Sequence, residues 1–142
     1  MKTVIDATDL ILGRMATQVA KKAIEGETVA IINAEKTVVT GSKADILAKQ
    51  ILHQAIGHKT RGPIFPREPD FMLKRSIRGM LPWGTARGKD AYARIKCYVG
   101  VPAEFKESKT LELPGAHISK SNATEYTVLS EVCKLIGAKR LK

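Results

Sequence analysis

Two short apolar runs bracket a stretch with helical spacing, and this arrangement constrains the fold more than any other feature of the chain. Thr3-Val4-Ile5-Asp6 reads as a short buried strand. Leu12, Met15, Ala16, Val19, Ala20 and Ala23 then recur every three or four residues, while Arg14, Gln18, Lys21, Lys22 and Glu25 fall mainly on the other face and Gly26 supplies a stop. Val29-Ala30-Ile31-Ile32-Asn33 follows as a near-continuous apolar run, as expected of a strand covered on both faces. A strand, an amphipathic helix and a second strand joined in this order predict a βαβ unit, with a right-handed crossover and the helix packed on a mostly parallel sheet.

The pattern continues with Val38-Val39-Thr40 as a third β-like piece. Ser42 then has the character of an N-cap, with Asp45 three residues on as its acidic partner. Ile46, Leu47, Ile51, Leu52, Ala55 and Ile56 predict the buried face of a second helix, ended by Gly57. Residues 57–69 hold two glycines and three prolines and are expected to be an irregular loop. Phe71 to Met80 reads as a helix closed by Leu81-Pro82, Trp83-Gly84-Thr85 as a turn, and Ala86 to Arg94 as a further helix feeding a strand over Ile95–Val99. Residues 101–123 show little periodicity and are expected to form a second irregular loop. Val128, Leu129, Val132, Leu135 and Ile136 mark a last helix, followed by Gly137 and a basic tail over 139–142. The whole chain, 1–142, reads as one α/β domain with a small, mainly parallel sheet of about four strands, long enough to bury a core without metal or disulfides.

Charge is unevenly distributed along the chain. The net charge is +10, but residues 1–56 carry only +1 and residues 101–142 only +2, so +7 falls within residues 57–100. That third holds Lys59, Arg61, Arg67, Lys74, Arg75, Arg78, Arg87, Lys89, Arg94 and Lys96. On a helix Lys74, Arg75 and Arg78 share a face, where like charges repel and an anionic partner would relieve them. Arginine suits bidentate contact with phosphate and stacking on bases. These ten residues are the expected contacts to a polyanion, with nucleic acid the polyanion of choice. Trp83, between Pro82 and Gly84, is placed either to stack on a base or to be pinned against the domain by its own turn.

Chemistry of other kinds finds little support. Gly41-Ser42-Lys43 resembles the end of a phosphate loop, but Lys36 stands where GxxxxGK[ST] needs its first glycine and Ala44 follows the lysine. His53, His58 and His117 have no cysteine or carboxylate at a metal-ligand spacing. Asp6 and Asp9 are expected to cap the helix that follows rather than to act as an acid–base pair. Cys97 and Cys133 sit among apolar residues without a CxxC and read as buried thiols of a reducing compartment. Met1-Lys2-Thr3 runs directly into a strand and no apolar stretch is of membrane-spanning length, so the expectation is a soluble cytoplasmic protein with no cofactor, metal, membrane or small-molecule substrate.

Several blocks together carry a family resemblance. Val4-Ile5-Asp6-Ala7-Thr8 with Leu12-Gly13-Arg14-Met15-Ala16-Thr17 resembles the opening of the thirteenth large-subunit ribosomal protein family. Ile32-Asn33-Ala34-Glu35-Lys36 with Val39-Thr40-Gly41-Ser42-Lys43 is similar to its second block. Arg78-Gly79-Met80-Leu81-Pro82, then Arg87-Gly88-Lys89, Arg94-Ile95-Lys96 and Tyr98-Val99-Gly100, is similar to its signature segment. Thr60-Arg61-Gly62-Pro63 resembles the archaeal and eukaryotic branch, and an archaeal source is expected. The resemblance covers roughly residues 3–102. It implies a three-layer α/β/α domain that binds large-subunit ribosomal RNA, takes part in subunit assembly beside neighbouring ribosomal proteins and performs no catalysis. Met80, Leu81 and Pro82 are then expected to fix the backbone by packing. A free RNA-binding translational regulator and a nucleotide-binding enzyme on the same scaffold are the rival readings.

Overall fold

The apolar runs become strands where they can be covered from both sides. The computed structural model describes residues 2–58 and 60–140. Strand β1 (Lys2–Asp6) pairs in parallel with β2 (Thr28–Ile32), and β2 pairs in parallel with β4 (Ile95–Cys97), giving the order β1-β2-β4. Val4 lies opposite Ala30 and Ile31 opposite Cys97. The outer side of β1 does not stay bare. Thr110 bridges it in parallel, and the Leu111 N–H donates to the Val4 carbonyl at 2.7 Å. The α/β class with a mainly parallel sheet thus holds.

Helix α1 (Leu12–Ile24) is the crossover of the expected βαβ unit and buries Met15, Ala16, Val19, Ala20 and Ala23. These side chains meet Ile5 and Ile31 from the sheet, and Leu73 and Ile77 from α3 (Pro69–Gly79). Ala91 of α4 (Ala86–Ala93) and Leu81 complete that side of the core. The layer on the other face is thin. Val4, Ala30 and Ile32 are covered by Phe105, from a short 3-10 turn, with Tyr98 packed against it.

The structure departs from expectation where the chain leaves β2. Asn33 adopts a left-handed conformation, φ 54°, which asparagine tolerates better than a β-branched residue, and a 3-10 turn over Ala34–Lys36 reverses the path. Consequently β3 (Val38–Thr40) does not join the main sheet. It pairs antiparallel with β5 (Tyr126–Val128), so Val128, expected in the last helix, is a strand residue. Helix α5 starts only at Leu129, whose N–H donates to the Thr37 carbonyl at 2.8 Å, and runs to Leu135.

With β3 elsewhere, helix α2 (Lys43–Ala55) has no sheet to lie on, and its expected buried face is a correction. Only Ile46 is buried, Leu47 is half-buried, and Ile51, Leu52, Ala55 and Ile56 are exposed. Ser42 occupies the N-cap position but its side chain makes no capping hydrogen bond. Asp6 and Asp9 do not cap α1 either, since Ile11 takes that position. The Asp6 Oδ1 instead accepts from the Thr8 N–H at 3.0 Å, the Thr8 hydroxyl at 2.7 Å and Asn33 Nδ2 at 3.0 Å. Burial alone would raise the Asp6 pKa, but hydrogen bonds from Asn33 and Thr8 and the charge of Lys36 outweigh it and hold the carboxyl below its ordinary value.

Both thiols are free, and burial pushes each up to about 12. Among the described residues no helix is long and apolar enough to cross a membrane.

The unequal burial has a direct consequence for stability. Ile31→Ala empties a fully buried site on the central strand and is expected to cost about 2–5 kcal/mol, whereas Leu52→Ala is expected to stay within about 0.5 kcal/mol. Urea unfolding of the two variants checks this, and a large loss for Leu52→Ala would show α2 packed the other way round.

Candidate nucleic-acid interface

Lysine and arginine at 57–100 acquire meaning from the elements that carry them. Nine of the ten expected contacts lie among the described residues, and Lys59 lies outside them. Arg61 and Arg67 precede α3, which carries Lys74, Arg75 and Arg78. Arg87 and Lys89 are on α4, Arg94 is its C-cap and Lys96 lies on β4. The sheet and the α1–α3 and α1–α4 packing hold these elements together.

Of the three acids in this region, Asp90 is exposed on α4 and forms no ion pair among the described residues, and the two at the start of α3 are engaged by the C-terminal residues. Asp70 pairs with Arg140 at 3.1 Å, and Glu68 Oε1 accepts the Lys139 N–H at 2.8 Å, so the end of the chain occupies both carboxylates at the start of α3. Among the described residues none of the nine cations forms an ion pair. The positive charge of this region is therefore left to the surroundings.

Aromatic rings fix the direction of several cations. Lys74 Nζ sits 4.7 Å above the Tyr92 ring, and the Arg78 guanidinium 4.8 Å above Trp83. Trp83 meets Tyr92 edge-on, with centroids 5.0 Å apart, and stays 39% exposed. It is thus held by the fold, the second of its two expected roles, with part of the ring still exposed. Arg75 turns aside from Lys74 and Arg78: its guanidinium lies 4.1 Å over Phe65 and donates to the Ile64 carbonyl at 3.4 Å. His53 of α2 stacks on the same ring, 4.6 Å between centroids and 7° from parallel. Phe65 thus joins α2, through His53, to α3, through Arg75. Each such contact contributes about 0.5–1 kcal/mol and restrains a long side chain before any ligand arrives.

The other cations divide into anchored and open groups. Arg94 donates to the Ala23 carbonyl at 3.2 Å, near the C-terminal end of α1 where a cation is favoured. Arg67 donates to Gln54 Oε1 at 3.0 Å. Arg61, Arg87, Lys89 and Lys96 are exposed. Arg61 is presented by a short loop closed by reciprocal backbone hydrogen bonds between His58 and Gly62 at 3.1 and 2.9 Å.

The turn between α3 and α4 is built to close tolerance. Leu81 is buried, but Met80 is 42% exposed and Pro82 is exposed, which corrects the expectation that all three pack. Pro82 acts instead through its carbonyl, which accepts from the Thr85 hydroxyl at 2.9 Å, while Thr85 caps α4 by accepting the Gly88 N–H at 3.2 Å. A Cβ on Gly88 would come within 2.1 Å of the Pro82 carbonyl oxygen. Glycine at this position lets α4 sit against the turn and sets Arg87 and Lys89 on either side of it.

Sequence reasoning missed the rings of Phe65 and Tyr92 and the role of His53. The interleaving of aromatic with basic residues, Phe65 before Arg67 and Tyr92 before Arg94, was the available signal. A cleft of about 480 Å³, lined by Asp6, Thr8, Glu112, His117 and Lys120 among others, contains none of the expected contacts. The cations lie outside that cleft: Arg75 borders a second hollow with His53 and Phe65, and Lys74 and Lys96 border a third with Asp70 and Tyr98. Among the described residues no group of His, Cys, Asp and Glu is placed to hold a metal ion.

Comparison with known proteins gives concordant results. The family model for ribosomal protein L13 matches residues 1–104. The chain is 43% identical over 137 residues to the large ribosomal subunit protein uL13 of Methanococcoides burtonii, covering 96% of this chain and 99% of that one. It is 46% identical over 138 residues to the uL13 of Methanosarcina barkeri, with 96% and 99% covered, and 40% identical over 136 residues to that of Archaeoglobus fulgidus, with 95% and 87% covered.

The tolerance at Gly88 is testable. Gly88→Ala is expected to cost about 1–3 kcal/mol through overpacking against Pro82. Thermal melting checks it, and an unchanged midpoint would mean that the turn and α4 are not in contact.

Proposed function

The chain belongs to the ribosomal protein L13 family, and from that premise we propose that it is a structural constituent of the large ribosomal subunit which binds ribosomal RNA through the α3–α4 surface and supports subunit assembly. It works on the cytoplasmic ribosome, beside neighbouring large-subunit proteins, as a single domain. The family is one of ribosomal structural proteins, and the nucleotide-enzyme reading is set aside accordingly.

The observation that carries the RNA-binding part is the set of cations at 61–96 without ion-pair partners among the described residues, borne on α3, α4, β4 and the loop before α3. Binding replaces the counterions of RNA phosphates with these side chains, and their release drives association at low salt. Arg87, Lys89, Lys96 and Arg61 reach phosphates directly. Arg78, Arg75 and Lys74, already aligned on rings, also meet the backbone with little further loss of side-chain freedom. Trp83 offers a stacking surface to an unpaired base. Arg94 and Arg67 act mainly by holding α1, α2 and the loop before α3 in place.

Arg87→Gln with Lys89→Gln tests the surface, because both side chains are exposed and form no ion pair. The double variant is expected to melt like the wild type and to bind large-subunit RNA more weakly. The slope of log K against log salt should fall by about 0.7–0.9 for each phosphate that is no longer neutralised. Equal affinity and equal slope would remove both residues from the interface. Wild-type protein that stays in the light fractions of a sedimented lysate would favour a free regulator over a ribosomal constituent.

A further inference from the structure

Helix α2 shows its apolar side to solvent. Its inward residues are Ile46, Gln50, His53 and Gln54, two of which bond or stack to the segment 65–67. Its outward residues are Ala48, Ile51, Leu52 and Ala55, spaced i, i+3, i+4, i+7 as on the buried stripe of an ordinary helix. Ile51 is 60% exposed and Leu52 59%. The stripe does not end with the helix: Ile56 and Ile64 line a hollow of about 310 Å³ with Pro63. The helix is held without this stripe, by an ion pair of Lys43 with Glu131 at one end and by Gln54 and His53 at the other. Fold stability does not account for the apolar stripe, and contiguous exposed aliphatics of this kind mark an interaction surface.

The surrounding charge selects the occupant. From Asp45 to Arg67 the chain has Lys49, Lys59, Arg61 and Arg67 against a single carboxylate, Asp45 in the first turn of α2. A second copy, itself at +10, would bring cations against cations. RNA would leave Ala48, Ile51, Leu52 and Ala55 facing a hydrated phosphate backbone with nothing to bond. A protein helix satisfies both demands when its apolar ridge carries carboxylates on its flanks. The alanines at 48 and 55 bracket Ile51 and Leu52 and let such a helix approach closely.

We propose that the outer face of α2, continued by Ile56 and Ile64, docks an acidic-flanked amphipathic helix of a neighbouring protein of the large subunit. This rests on the ribosomal reading above. The contact is small, so it forms when RNA holds both proteins and raises their effective concentration.

Two variants test the proposal in assembled subunits. Leu52→Cys provides the one readily reactive thiol, because Cys97 and Cys133 are held near pKa 12 by burial. Maleimide is expected to label it in the free protein and to lose that labelling in the intact subunit. A benzophenone amino acid placed at position 52 is expected to cross-link to a ribosomal protein, within a helix that carries Asp or Glu beside its apolar contact. Undiminished labelling in the subunit would overturn the proposal. So would a cross-link to RNA, to a second copy of this chain or to a basic segment. Failure of the ribosomal reading itself registers separately, as wild-type protein absent from the large-subunit fractions.

Discussion

The pairing of β2 between β1 and β4 is the constraint on which the rest of the molecule depends. It joins the opening of the chain to a strand that lies beyond the two helices of the cationic surface. Because all three strands run parallel, each connection must cross the sheet, and α1, α3 and α4 gather on one face with a shared core of Ile5, Met15, Val19, Ile31, Leu73 and Ile77. The charged outer sides of α3 and α4 are oriented by what their inner sides bury. Weakening the core would disperse the surface along with the fold.

On that platform the cations are held rather than merely displayed. Tyr92, Trp83 and Phe65 each sit under a lysine or arginine, at distances between 4.1 and 4.8 Å. A cation over a ring keeps its charge while giving up part of its rotamer freedom, so less entropy remains to be lost on binding. The nearby carboxylates of Glu68 and Asp70 are meanwhile occupied by Lys139 and Arg140. The C-terminal residues thereby take up two of the three acids in this region, leaving Asp90 exposed on α4.

The sequence made the first βαβ unit legible because its signals were local and agreed with one another: two apolar runs, one helical period and a glycine stop. It made the cationic third legible because charge is countable. The fate of β3 was not legible. Asn33 gives no sign in sequence that it will turn left-handed, and the pairing of Val38–Thr40 with Tyr126–Val128 joins segments distant in the chain. The misread face of α2 follows from that one turn, since periodicity locates an apolar stripe but not the surface that covers it. The ring contacts were hidden for the same reason, as Phe65 and His53 meet only once α2 and α3 are placed. Gly88 falls inside the helix expected over Ala86 to Arg94, and only the 2.1 Å approach to Pro82 shows why a side chain is excluded there.

A density map of the native large subunit is the most direct test of the central claim, that the cations without acidic partners on α3, α4 and β4 face ribosomal phosphates. The account predicts RNA backbone within hydrogen-bonding reach of Arg78, Arg87, Lys89 and Lys96. A map in which that face points to solvent, with RNA bound to another side of the protein or absent from it, would contradict it.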